Sequence, residues 1–129
     1  MKRHEQLQDL SREHYSALKL ALYAKRAAVS GDPAQIRVAA KGCRLAFDSE
    51  LEAHFLVEER DLLPRLRAAG QTALVSRTEA DHAELRGLVT RLEEADGDVL
   101  LAFSERLTAH VRFEEREIFE AMEVLLAAA

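Results

Sequence analysis

Cysteine is nearly absent from this chain: Cys43 stands alone among 129 residues. One cysteine cannot close an internal disulfide, so the fold has no oxidative staple and fits a reducing compartment. Cys43 itself reads as a small apolar core residue. Basic tracts are missing as well. Eighteen Lys and Arg against 23 Asp and Glu leave a net charge of −5, which makes nucleic acid and anionic membrane surfaces poor partners. The opening Met1-Lys-Arg-His-Glu-Gln-Leu-Gln-Asp9 has basic residues but no apolar run behind them, unlike a secretory leader. The apolar tail from Val124 to Ala129 is far too short to span a bilayer. A cytoplasmic protein without membrane contact is expected. Strand alternation and hairpin turn signals are lacking too, so strands are not expected. No nucleophile triad, phosphate loop or GxGxxG pattern points to the common enzyme classes.

What remains is helical. Leu7, Leu10, His14, Leu18, Ala21 and Leu22 recur at helical spacing and predict a first helix over about 7–29. Ser30-Gly31-Asp32-Pro33 stops it and starts the next, with Gly31 past the end, Asp32 as cap and Pro33 in the first turn. The second helix carries Ile36, Ala40, Cys43, Phe47, Leu51, His54, Glu58 and Leu62 along one side. Pro64 cannot donate to the carbonyl of Arg60, so this helix should kink or end near 62–64, and Gly70 closes the segment. A third helix over about 72–94 buries Leu74, Val75, Thr78, His82, Leu85, Val89 and Leu92. After the turn Ala95-Asp-Gly-Asp98, a fourth over about 99–126 uses Phe103, Leu107, His110, Glu114, Ile118 and Met122. Arg and Glu residues on the outward faces read as solvated. Four comparable helices joined by short turns predict an all-α, antiparallel up-down-up-down four-helix bundle forming a single domain over 1–129.

One pattern occurs twice: His54-Phe-Leu-Val-Glu58-Glu59-Arg60 and His110-Val-Arg-Phe-Glu114-Glu115-Arg116. In a helix, residues four apart share a face with Cβ atoms roughly 5–6 Å apart, close enough for the imidazole and the first carboxylate to share an ion. Ser11-Arg-Glu-His14 and Thr78-Glu-Ala-Asp-His82 each place one more histidine, just after an acidic residue, inside an apolar stripe. Four of the five histidines therefore fall one per helix at core positions, as two hairpins related by a pseudo-twofold axis. Leaving such charges unpaired in a bundle core costs several kcal/mol each. Metal ions would neutralise them. Imidazole and carboxylate without thiolate suit iron, manganese or zinc. Six ligands exceed one tetrahedral zinc, and two carboxylates between two groups of imidazoles suit a dinuclear site. The spacing His-x-x-x-Glu also differs from the Glu-x-x-His of ferritin-like di-iron bundles.

These paired motifs, each preceded by a helix with a single histidine, make the chain resemble the hemerythrin-like (HHE cation-binding) domain family over about 7–126. The resemblance implies two non-heme irons, oxo- or hydroxo-bridged. His14, His54, His82 and His110 would be terminal ligands, with Glu58 and Glu114 as bridging carboxylates. It further implies a small ligand at an open position: dioxygen, nitric oxide, peroxide or an azide-like anion. The oxygen carriers of that family have two histidines a turn apart on the third helix, whereas here Thr78 and Arg86 flank His82. One nitrogen ligand is missing, leaving an opening for water, for Tyr15 or for an acidic neighbour. Those carriers also place the last carboxylate five residues after the histidine, which would select Glu115. Glu114 is preferred here because i+4 matches the first copy, leaving Glu59 and Glu115 as solvated neighbours or partners of the ligands. His4 reads as a surface residue. The functions consistent with this are a di-iron protein that binds or senses a small ligand, a di-iron enzyme acting on peroxide or nitric oxide, and a metal-free helical interaction module.

Overall fold

The computed structural model describes residues 3–128; Met1, Lys2 and Ala129, the outermost residues of the two terminal stretches discussed above, lie outside the described residues. Four long helices make up the fold, and no strand occurs among the described residues. A 3-10 turn at Glu5–Leu7 leads into α1, Gln8–Ser30. Helix α2 runs over 33–68, α3 is Thr72–Arg91 with a closing 3-10 turn at Leu92–Glu94, and α4 runs over 97–128. None of them is long and apolar enough to cross a membrane.

The turns follow their local chemistry. Gly31 sits in the left-handed region at φ 67°, where a glycine ends a helix without a Cβ penalty. Asp32 then accepts from the backbone N–H of Ala34 as the cap of α2. Asp96 caps α4 in the same way, accepting from Asp98 and Val99. That cap starts α4 at Gly97, inside the stretch expected to be turn.

Proline does not end α2. Two widened π turns interrupt the helix, at Phe47–Leu51 and Glu58–Leu62, and the second ends two residues before Pro64, which occupies the first turn of the following segment. A π turn carries one extra residue and so absorbs the lost hydrogen bond and the ring clash without breaking the rod. A third π turn, Glu114–Ile118, falls at the equivalent place in α4 although no proline is there.

Two apolar clusters fill the interior. One joins Ala17, Ala21, Ala24 and Cys43 with Phe47, Phe55, Phe103 and Leu107; the other joins Leu7, Leu10, Leu62, Leu66, Ile118, Phe119 and Met122. Along α1 the buried seam is mostly alanine, which lets its neighbours approach closely, and the Ser104 hydroxyl donates to the Ala21 carbonyl across that contact. Leu22, expected on the stripe, falls one position off this seam and is exposed, while Leu18 and Leu74 are half-buried. Between the two clusters lies a layer that is not apolar.

Candidate metal centre

That layer holds His14, His54, Glu58, His82, His110 and Glu114, all of them buried. The six residues expected from spacing come together, one histidine from each helix and the two carboxylates from α2 and α4. Each carboxylate divides its oxygens between two histidine pairs. Glu58 turns Oε2 to His54 Nε2 at 3.1 Å and Oε1 to His82 Nε2, also at 3.1 Å. Glu114 turns Oε1 to His14 Nε2 at 2.8 Å and Oε2 to His110 Nε2 at 3.2 Å. Two four-residue groups result, His14, His54, Glu58 and Glu114 on one side and Glu58, His82, His110 and Glu114 on the other. Within each, the ligand atoms lie within 4.8 Å of one another, so either group could hold a metal ion.

Several of these atoms have no protein partner. His54 Nε2, Glu58 Oε2, His110 Nε2 and Glu114 Oε2 are buried without a hydrogen bond. The i, i+4 pairs are near enough but misaligned for one. Buried polar atoms are almost always satisfied, and leaving one unsatisfied costs about 1–3 kcal/mol. The four orphans are two symmetry-related pairs of nitrogen and oxygen aimed at the same interior, as cation binding requires. The residues therefore fit a pair of cations.

The far side of every imidazole is occupied. Nδ1 of His14 lies 2.6 Å from Glu115, Nδ1 of His54 lies 2.7 Å from Glu13, Nδ1 of His82 lies 2.6 Å from Glu59, and Nδ1 of His110 lies 3.0 Å from Asp81. A carboxylate only accepts, so each Nδ1 carries the proton and donates, which aims the Nε2 lone pair inward. Glu59 and Glu115, the residues after Glu58 and Glu114, thus hold His82 and His14 in place. Glu13 and Asp81 do the same, and spacing along one helix did not reveal it. The signal for these two was the acidic residue just before each single histidine; the partner, however, is a histidine on another helix. Aromatic rings fix two imidazoles further: Phe119 stacks on His14 at 4.9 Å and Phe55 on His82 at 3.9 Å.

The places of the missing nitrogen supply none. The Thr78 hydroxyl donates to the Leu74 carbonyl. Arg86 spans Glu52 and Glu59, holding the carboxylate that holds His82. Arg3 plays the same part for Glu115. Tyr15 is 66% exposed and points away from the centre, which removes it as a ligand. His4 is half-buried and caps the 3-10 turn, its Nδ1 accepting from Gln6 N–H.

Charges in the layer are strongly interdependent. Burial alone would lower the imidazoles, but the close carboxylates of Glu114 and Glu58 outweigh it, pushing His54 up to about 11 and His82 to about 9. Burial likewise opposes the rise of His110, and the charge of Glu114 with the Asp81 contact outweighs it, carrying His110 to about 9. Glu58 is raised by burial and by the charge of Glu114, while Glu114 is held low because His110, His14 and His54 outweigh its burial. Without a cation, protons on the histidines perform the neutralisation.

The family model for the hemerythrin HHE cation-binding domain matches residues 3–122. No curated protein and no solved structure matches the chain.

Proposed function

The chain belongs to the hemerythrin HHE cation-binding domain family, and from that membership we propose that it is a cytoplasmic non-heme di-iron protein that binds or senses dioxygen or a related small ligand. His14 and His54 would hold one iron and His82 and His110 the other, with Glu58 and Glu114 belonging to both groups. The observation that carries this is the division of each carboxylate, one oxygen to each histidine pair. A lone cation would need only one such side. Donors of nitrogen and oxygen without sulfur suit iron, with manganese or zinc as substitutes. When bound, the irons supply redox chemistry and coordination positions open to dioxygen, nitric oxide, peroxide or an azide-like anion.

The protein's own part is to preset and shield the site. Four outer carboxylates fix the ring orientations before any ion arrives, and Phe55 and Phe119 wall two of the rings against water. Thr78 and Arg86 are turned to other partners, so each ion would be held by two imidazoles and the two shared glutamates, and an exogenous ligand could complete it.

Metal analysis of protein produced in iron-supplemented medium should give two irons per chain, with an absorption spectrum of the oxidised form that changes on adding azide. Glu58→Ala removes an oxygen from both ions and should abolish paired loading; His110→Ala should do the same. No more than trace metal after both aerobic and anaerobic preparation would overturn the proposal.

A further inference from the structure

The two halves of the centre are alike in their ligands and unlike in their surroundings. Counting positions from the paired histidines, Glu13 on α1 corresponds to Asp81 on α3, and each supports a histidine on the next helix. The Asp81 side chain is 8% exposed and that of Glu13 is 55% exposed. The seam between α3 and α4 is shut over Asp81. Arg77 reaches it at 3.4 Å while lying 4.3 Å over the Phe113 ring. At the corresponding places, the seam between α1 and α2 has Asp9 and Val57. Asp9 pairs with Arg12 on its own helix, and as an acid it cannot bridge to Glu13.

The same contrast recurs one turn away. On the α3–α4 side Arg106 and Glu84 pair at 2.9 Å across a depression of about 340 Å³ whose walls include neither Asp81 nor His110. The corresponding residues on the α1–α2 side are Glu50 and Ser16, which cannot form an ion pair. There the cleft is larger, about 540 Å³, and its wall includes His54 itself together with Glu13. A second cleft of about 680 Å³, bordered by Asp9 and Val57, reaches Glu13 from the other direction. Among the described residues, Glu13 stands between the two as the one exposed side chain hydrogen-bonded to a histidine of the centre.

We propose that the α1–α2 seam beside Glu13 is the way in and out for divalent cations and small ligands, and that it serves the His14–His54 half of the centre ahead of the His82–His110 half. This rests on the metal-binding function proposed above. The two ions are then kinetically unequal although their donor sets match. Glu13 acts as a positioning residue whose side chain swings into solvent to let His54 turn.

The test is extraction of ferrous iron from the loaded protein by excess bipyridine under anaerobic conditions. Two phases of one iron each are expected. Copying the closed seam onto the open one, by Asp9→Arg with Val57→Phe or separately by Ser16→Glu with Glu50→Arg, should slow the fast phase toward the slow one. Arg77→Ala should speed the slow phase. A single phase releasing both irons, or a fast phase indifferent to both grafts in folded variants, overturns the proposal. A chain that takes up no metal sinks the di-iron function instead. Hydroxyl-radical footprinting of the metal-free protein then decides the seam by itself: His54 should be oxidised faster than His110, and equal rates reject it.

Discussion

Every imidazole in the central layer has a carboxylate on both sides, an inner glutamate within 3.2 Å of Nε2 and an outer acid hydrogen-bonded to Nδ1 closer to the surface. Replacing an outer carboxylate should therefore weaken metal binding without removing a ligand. Glu59→Gln or Glu115→Gln should lower affinity by about 10–100-fold, the usual range for such partners, measured by competition with a calibrated chelator. The metal-free protein should respond to pH through its raised histidines. Their folded values lie above the unfolded one, so the folded state binds more protons and its stability falls as pH rises. The fall should begin near the ordinary histidine value, pass through about 9 for His82 and His110, and extend toward about 11 for His54. Thermal melts of metal-free protein across that range check it; a melting temperature that climbs with pH would contradict the assignment. At this scale the six central groups were legible, because i+4 geometry and one histidine per stripe are properties of a single helix. That Glu114 faces the interior while Glu115 lies nearer the surface was legible for the same reason. The pairing of Glu13 with His54 was not, since it depends on which helices adjoin.

Helix ends and helix irregularities set where those side chains point. Asp32 and Asp96 each satisfy backbone donors that would otherwise be unpaired. Asp96→Ala should cost about 1 kcal/mol of folding stability, seen as a lower melting temperature, with metal stoichiometry unchanged because the cap is remote from the centre. The π turns have a different part. Those at 58–62 and 114–118 begin at the two central glutamates, and the extra residue lets two successive side chains face inward at the end of each, Leu62 with Leu63 and Ile118 with Phe119. Phe119 thereby reaches His14. Pro64 announced a disturbance in α2, and the expectation of a kink or an end stopped short of the widened turn that resolves it. Nothing comparable announced the turn in α4, whose sequence contains no helix breaker. The extent of all four helices was legible to within a few residues from stripes and stops.

For the molecule as a whole, the polar layer separates two apolar clusters, so the bundle's halves meet across groups that repel unless neutralised. Ions that bind only the folded chain stabilise it by mass action. A strong chelator should accordingly lower the melting temperature, and Glu58→Ala should remove most of that difference between loaded and stripped protein. Equal melting temperatures with and without chelator would favour a metal-free interaction module. The pseudo-twofold plan was legible from the repeated motif, whereas its breakdown at Arg77, Phe113 and Arg106 was not, because closure of a seam depends on contacts between helices. Cys43 carries one more consequence. It lies fully buried beneath the alanine seam of α1, and burial pushes its thiol up to about 12. An alkylating reagent therefore has nothing to attack until the bundle comes apart, so the rate of labelling at that single sulfur would clock global opening.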